Sequence, residues 1–256
     1  LIDVQKLRTA LAESGYALIP EIFSSDECRS LIGSLEQALQ ATADEATALR
    51  RQNGVLYGAR NLIDLFPPVQ ILWLRDELLQ LLRAELGPDV GLVRGLYFDK
   101  PAGGNWSLPW HQDLTIAVKD HSLPSAQFRN RTTKAGVPHV EAPRALLEQM
   151  LTLRIHLDAV DDENGPLQVL PGSHRLASET DEASQKPVAI HTPAGGVLAI
   201  RPLVSHASGS SSPGTTRHRR IIHLEFAASP TLPDGYEWQH FFSPSADCEL
   251  SRLRSN

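Results

Sequence analysis

The spacing of apolar residues changes near residue 90. Before that point it is largely helical. Val4, Leu7 and Leu11 fall on one stripe and predict a helix over 4–13, ended by Gly15. Tyr16-Ala17-Leu18-Ile19-Pro20 reads as a short strand. Ser24 followed by Glu27 makes a capping box, which starts a helix over about 26–40. Residues 41–60 are polar and carry no clear period. Pro67-Pro68 opens a helical stretch over 69–86, closed by Gly87-Pro88.

From Val90 onward, short apolar runs alternate with Gly, Pro, Asn and Asp turns. They predict strands over 90–98, 114–118, 151–157, 167–170, 188–191, 197–201 and 221–226. Such spacing indicates a sandwich or barrel, so the chain reads as mainly β with flanking helices. A long polar segment, 119–149, interrupts the strands and ends in a short helix over 144–150. Its length predicts a lid over a site. Residues 178–186 and 208–216 read as exposed loops. The expected organisation is a single domain over 1–256: helical support in 1–89, a β core in 90–228 and a tail in 229–256.

Composition narrows the function classes. A net charge of −6 disfavours a nucleic-acid partner, which needs a concentrated basic surface. Cys28 and Cys248 are too few for a disulfide framework or a cysteine zinc site. No apolar run approaches the ~20 residues of a membrane span, and the first residues lack a secretion-signal pattern. A cytoplasmic protein acting on a small molecule is expected.

The candidate chemistry centres on His111-Gln112-Asp113. Residues two apart on a strand share a face, so this imidazole and carboxylate can reach one metal ion. His206, 93 residues beyond Asp113, is the best third ligand, and the gap suits facing sheets of one barrel. Two histidines and one carboxylate leave open positions on Fe(II). A second such tripeptide, His156-Leu157-Asp158, reads as the polar face of a sheet with Asp158 near a turn. Arg217, Arg219 and Arg220 precede the last strand, and a buried arginine there would suit a dicarboxylate. Arg220 is in phase with Ile222, Leu224 and Phe226, but an active-site interior need not be apolar, so periodicity leaves the choice open.

These segments together resemble the phytanoyl-CoA dioxygenase family of Fe(II)- and 2-oxoglutarate-dependent oxygenases. The resemblance rests on Trp110-His111-Gln112-Asp113, on the run from Glu163-Asn164-Gly165 to Pro171-Gly172-Ser173-His174, on His206-Ala207-Ser208-Gly209 and on Arg219 to Phe226. The second of these is the most specific. The resemblance implies a double-stranded β-helix, or jelly-roll. It implies Fe(II) on His111, Asp113 and His206, and 2-oxoglutarate and dioxygen as co-substrates. Counting back from the aromatic assigns the far carboxylate of 2-oxoglutarate to Arg219, with Ser208 donating to it; counting forward from His206 selects Arg217 instead. The implied reaction oxidises a small molecule and releases succinate and carbon dioxide.

Trp106, Trp110, Gln112, His139, Lys100 and Arg60 are candidate substrate contacts. Lys119, His121, Arg129, Arg131 and Lys134 could bind a carboxylate or phosphate or form a solvated loop, with the solvated loop the preferred expectation, and His174 reads as a structural turn residue. The rival readings are a cupin-like metalloenzyme, which normally shows more closely spaced histidines, and a non-catalytic jelly-roll binding protein.

Overall fold

The computed structural model describes residues 2–42, 49–52, 55–102, 106–176 and 186–244. Most of the expected loop 178–186, the end of the expected tail and Cys248 lie outside them. Helix α1 (Val4–Glu13) begins at Asp3, whose carboxylate accepts from the Lys6 amide at 3.0 Å. Strand β1 (Tyr16–Ile19) follows. The Ser24–Glu27 capping box forms and opens α2 (Ser25–Ala41). The stretch without a clear period contains a hairpin, β2 (Leu49–Gln52) and β3 (Val55–Ala59), followed by the single turn α3 (Leu62–Leu65).

The helix expected over 69–86 is two pieces, a 3-10 helix Pro67–Leu74 and α4 (Asp76–Leu86). Arg75 separates them with φ −62° and ψ 140°. Its guanidinium pairs with Glu27, donates to the Ile22 carbonyl at 3.2 Å and lies 4.2 Å from the Phe23 ring centroid. These partners on the preceding segment hold the chain out of the helical region, against a pattern that favours continuity.

The remaining elements are β4 (Gly91–Phe98), β5 (Leu108–His111), β6 (Thr115–Ala117), β7 (Arg129–Lys134), β8 (Val137–Glu141), the short α5 (Arg144–Leu147), β9 (Met150–His156), β10 (Leu167–Val169), β11 (Val188–Ile190), β12 (Val197–Ile200), β13 (His206–Ser208) and β14 (Ile221–Ala227). One sheet has the order β1-β12-β9-β14-β4-β3-β2 and a second β11-β10-β13-β5. These two antiparallel sheets make the jelly-roll. A third, β6-β8-β7, flanks them.

Three regional expectations change. The first 89 residues supply three strands of the large sheet as well as its helices. The polar segment 119–149, expected as a lid, contains a folded hairpin paired with β6, and Phe128, Val140 and Leu147 are buried under it. The start of the expected tail is packed too: Leu232, Tyr236 and Trp238 join that same cluster.

Alternation along β9 and β14 decides which way the large sheet faces. Leu151, Leu153 and Ile155 share a cluster with Ile222, Leu224 and Phe226 and with Leu11, Leu35, Trp73 and Leu78 of the helices. The Trp73 and Phe226 rings meet edge-on at 5.2 Å. Each such side chain contributes roughly 1.5–3 kcal/mol on burial, so the apolar phase is fixed against the helices. The opposite phase, Arg154 on β9 with His223 and Glu225 on β14, then faces the space between the sheets. The face expected to be polar lines the barrel at Arg154, and all of β9 is buried.

Candidate metal centre and co-substrate pocket

His111 ends β5 and His206 begins β13, and the two are direct cross-strand partners. They therefore sit on one sheet, not on facing sheets as their sequence separation suggested. Their ring centroids are 4.3 Å apart. Asp113 lies just past the end of β5, so the strand argument does not place it. Its position comes from its amide, which donates to the Pro202 carbonyl at 2.9 Å, and from Gln112, whose Nε2 donates to the Leu203 carbonyl at 2.8 Å. Gln112 thus anchors the loop to the turn before β13, and does not line the cavity.

The carboxylate of Asp113 lies 3.9 Å from His111 Nε2 and 3.7 Å from His206 Nε2. One ligand atom from each of the three residues lies within 4.8 Å of the others. His111 Nδ1 is 2.7 Å from the Pro109 carbonyl and His206 Nδ1 is 2.9 Å from that of Val204. A proton on each Nδ1 satisfies these contacts and leaves both Nε2 lone pairs aimed at Asp113. Burial opposes charge on Asp113, but His206, His223 and His111 outweigh it and hold the carboxyl down at about 2. Burial pushes His206 down to about 4. Two imidazole nitrogens beside a carboxylate are the donor set that suits a divalent iron ion.

The three groups open into a cavity of about 590 Å³ between the sheets. At one part of its wall stands Arg219, 1% exposed. Its Nη1 donates to the Gly165 carbonyl, and its guanidinium lies 5.6 Å from the Trp106 ring centroid. Among the described residues no carboxylate forms an ion pair with it, and its Nε has no partner. Burial, then nearby Arg154, pushes it down to about 9. Ser208 is buried in the same cavity, also with an unpartnered hydroxyl. A buried guanidinium without a counter-ion and an orphaned hydroxyl are costly unless a ligand completes them. A carboxylate fits both.

The run Asn164 to His174 supports this wall. Asn164 donates to the Ala159 carbonyl at 2.8 Å and to that of His218, next to Arg219, at 3.0 Å. Gly165 has φ +69°, and a Cβ there would come within 2.7 Å of the Gly209 carbonyl oxygen. Only glycine suits both conditions. Ser173 Oγ accepts from the Ser205 amide at 2.8 Å, immediately before His206. His174 lies against Gly15 and lines a separate surface hollow.

The other expected residues divide. Trp106 and Arg60 line the cavity. Lys100 is buried behind it, donating to the Gly165 and Gly209 carbonyls beneath the Trp106 ring. Trp110 is 42% exposed and points elsewhere. Arg217 pairs with Asp161 and Glu163 at the surface, outside the cavity. Arg220 faces outward, paired with Asp158 and Glu36, so the second His-x-Asp tripeptide is divided between a buried His156 and this ion pair. Sequence reasoning missed Arg94, Arg154, His223 and Glu225. The signal for the last three was present in the charged alternates of two otherwise apolar strands.

His139 is buried outside the cavity, with Nδ1 2.9 Å from the Val137 carbonyl. Burial, reinforced by Arg94, pushes its imidazole down to about 4. An unfolded histidine titrates near ~6.5. Between those values the unfolded chain binds the extra proton, so stability falls as pH drops through that window. The urea midpoint of the wild type is expected to decline there more steeply than that of His139→Gln. Equal slopes would show that this ring is not held neutral by the fold.

A curated relative, the "Probable alpha-ketoglutarate-dependent hypophosphite dioxygenase" of Stutzerimonas stutzeri, is 26% identical over 86% of this chain and 77% of its own. EctD from S. alaskensis, solved with 2-oxoglutarate and 5-hydroxyectoine, superposes with a TM-score of 0.69 at 20% identity, covering 96% of this chain and 86% of that one. AviO1 from Streptomyces viridochromogenes Tue57 gives 0.64 at 22%, over 91% and 99%. These two structures share the fold. The family model described as Phytanoyl-CoA dioxygenase (PhyH) matches residues 11–219, and the chain belongs to that family as a non-haem Fe(II)- and 2-oxoglutarate-dependent dioxygenase.

Proposed function

We propose that His111, Asp113 and His206 hold Fe(II), that Arg219 and Ser208 hold 2-oxoglutarate, and that a small molecule entering the rest of the cavity is hydroxylated. The observation that carries this reading is one cavity containing both a two-histidine, one-carboxylate set and a buried arginine without a counter-ion. When bound, the iron couples oxidative decarboxylation of 2-oxoglutarate by dioxygen, giving succinate and carbon dioxide, to oxidation of a substrate C–H bond.

The chain's own contribution is placement. The Pro109 and Val204 carbonyls fix both imidazole rings, and Asp113 supplies one negative charge. Three protein ligands would hold the ion and leave it open to the co-substrates. Arg219 pairs with the far carboxylate of 2-oxoglutarate through its planar fork, and the Ser208 hydroxyl donates to the same group. Trp106, Phe98 and Leu167 line the cavity and give it apolar walls. No further acid or base is required. We place the reaction in the cytoplasm, a reading supported by the buried free thiol of Cys28. No helix of the described residues is long and apolar enough to cross a membrane.

The test is succinate formation from 2-oxoglutarate by chelator-treated protein reloaded anaerobically with Fe(II) and then exposed to air. Slow, substrate-free turnover is expected with Fe(II) and none with Zn(II), which cannot change oxidation state. If Fe(II)-loaded protein neither forms succinate nor binds 2-oxoglutarate in a calorimeter, the reading fails.

A further inference from the structure

We propose that the substrate carries an oxyanion group, a carboxylate or a phosphorus oxyanion, received by Lys134 and Arg94 at the end of β14 remote from Arg219. This rests on the iron and 2-oxoglutarate assignment above and names the substrate class for the same site.

The order of groups along β14 sets the geometry. Arg219 precedes the strand, His223 lies in its middle and Glu225 near its end. Six residues of extended chain span roughly 20 Å. His223 is near Asp113, whose charge it stabilises. The candidate metal centre therefore sits between two cationic ends of one cavity, and Arg219 takes the 2-oxoglutarate end.

At the other end, Arg94 on β4 opposes Glu225 on β14. Its Nη1 donates to Glu225 at 3.1 Å and to the Thr115 carbonyl at 3.5 Å. Burial opposes charge on Glu225, but Arg94 and His223 outweigh it and hold the carboxyl below its usual range. This carboxylate is already committed. Lys134, at the end of β7, reaches the same wall and donates to Thr115 Oγ1 at 2.9 Å. Among the described residues it forms no ion pair. Thr115 is two residues from Asp113, which brings the ammonium to the iron side of the cavity. Burial, then Arg94 and Arg60, lowers the Lys134 ammonium from its ordinary value. Glu225 and Asp113 act in the opposite sense without pairing with it directly, so this half-buried ammonium has no contacting counter-ion among the described residues.

The element carrying Lys134 is fixed in place. Asn61 Nδ2 donates to the Ala135 carbonyl at the tip of the β7–β8 hairpin, at 3.1 Å. Tyr57, Leu96, Phe98 and Leu108 line the same cavity. The pocket therefore suits an apolar body with an anionic terminus.

The experiment is anaerobic calorimetry on protein loaded with Fe(II) and saturating 2-oxoglutarate, using matched probes: butanoate against butanamide, phenylacetate against phenylacetamide, and phenylphosphonate. Wild type is expected to bind anionic members at least about ten-fold more tightly than their neutral partners, the scale of one charge-assisted pair. Lys134→Met removes that preference and Lys134→Arg keeps it. 2-Oxoglutarate affinity changes less than about two-fold in Lys134→Met, as for a distant site. The inference is overturned if amides bind as tightly as acids, if the preference survives Lys134→Met, or if wild type binds no anionic probe. A separate titration of 2-oxoglutarate into wild type and Arg219→Met tells the two levels apart. Normal 2-oxoglutarate binding that depends on Arg219, with no role for Lys134, sinks the substrate class alone. Absent 2-oxoglutarate binding sinks the assignment beneath it.

Discussion

Arg219→Met is expected to raise the 2-oxoglutarate concentration needed for half-maximal succinate formation by more than about 100-fold. Removing one partner of a buried, hydrogen-bonded charge pair costs on the order of 2–5 kcal/mol, because the carboxylate left behind has no replacement. Arg219 is fully enclosed, so water cannot substitute for it. Arg219→Lys should fall between, near about ten-fold, since a point charge cannot make the bidentate pair. Arg217→Met is the control. Its guanidinium is paired with Asp161 and Glu163 at the surface, and exposed pairs contribute about 0–1 kcal/mol. It should shift the KM for 2-oxoglutarate less than about two-fold. KM and thermal midpoint measured together on all three variants decide the matter. A large KM effect at Arg217, with none at Arg219, would reverse the assignment.

The choice among Arg217, Arg219 and Arg220 shows what the sequence could and could not express. Alternation along 221–226 was legible, and so was the strand itself. It could not say which face was covered. Reading the apolar phase as the interior would have turned Arg220 inward. The helices cover that apolar phase from outside, and the interior is the polar one, carrying His223 and Glu225. Local signals fared well where their partners are local: the Val4, Leu7 and Leu11 stripe and the Ser24–Glu27 box mark α1 and α2 at the expected places. They failed at Arg75, where Glu27 and Phe23, some fifty residues earlier, break a helical pattern. The three candidate ligands were all named from the sequence, but for a partly wrong reason. His111 meets His206 across adjacent strands of one sheet, and Asp113 is placed by backbone contacts to the 202–203 turn. Lys134 could not be told from a solvated lysine, because nothing near it in sequence reports that its hairpin folds back onto Thr115 and Asn61.

The two His-x-Asp tripeptides give the sharpest contrast. Asp113→Asn is expected to lower succinate formation at fixed Fe(II) by at least about 1,000-fold, with a parallel loss of iron affinity. The amide matches the carboxylate in shape, so the fold should be retained. What disappears is the one negative charge that His111 and His206 cannot supply, at a group the site holds ionised down to about pH 2. Asp158→Asn makes the same chemical change in the other tripeptide. Asp158 accepts from Arg220 at 2.8 and 2.9 Å, on the outer side of the sheet, and His156 is enclosed without reaching the cavity. That variant should lose stability, by roughly 1–3 kcal/mol for a hydrogen-bonded charge pair, while turnover per folded molecule stays within about two-fold. Urea denaturation, iron binding by calorimetry and succinate assays on both variants separate the outcomes. If Asp158→Asn abolishes iron binding and Asp113→Asn does not, the metal belongs to the second tripeptide, and the cavity between the sheets has been given the wrong centre.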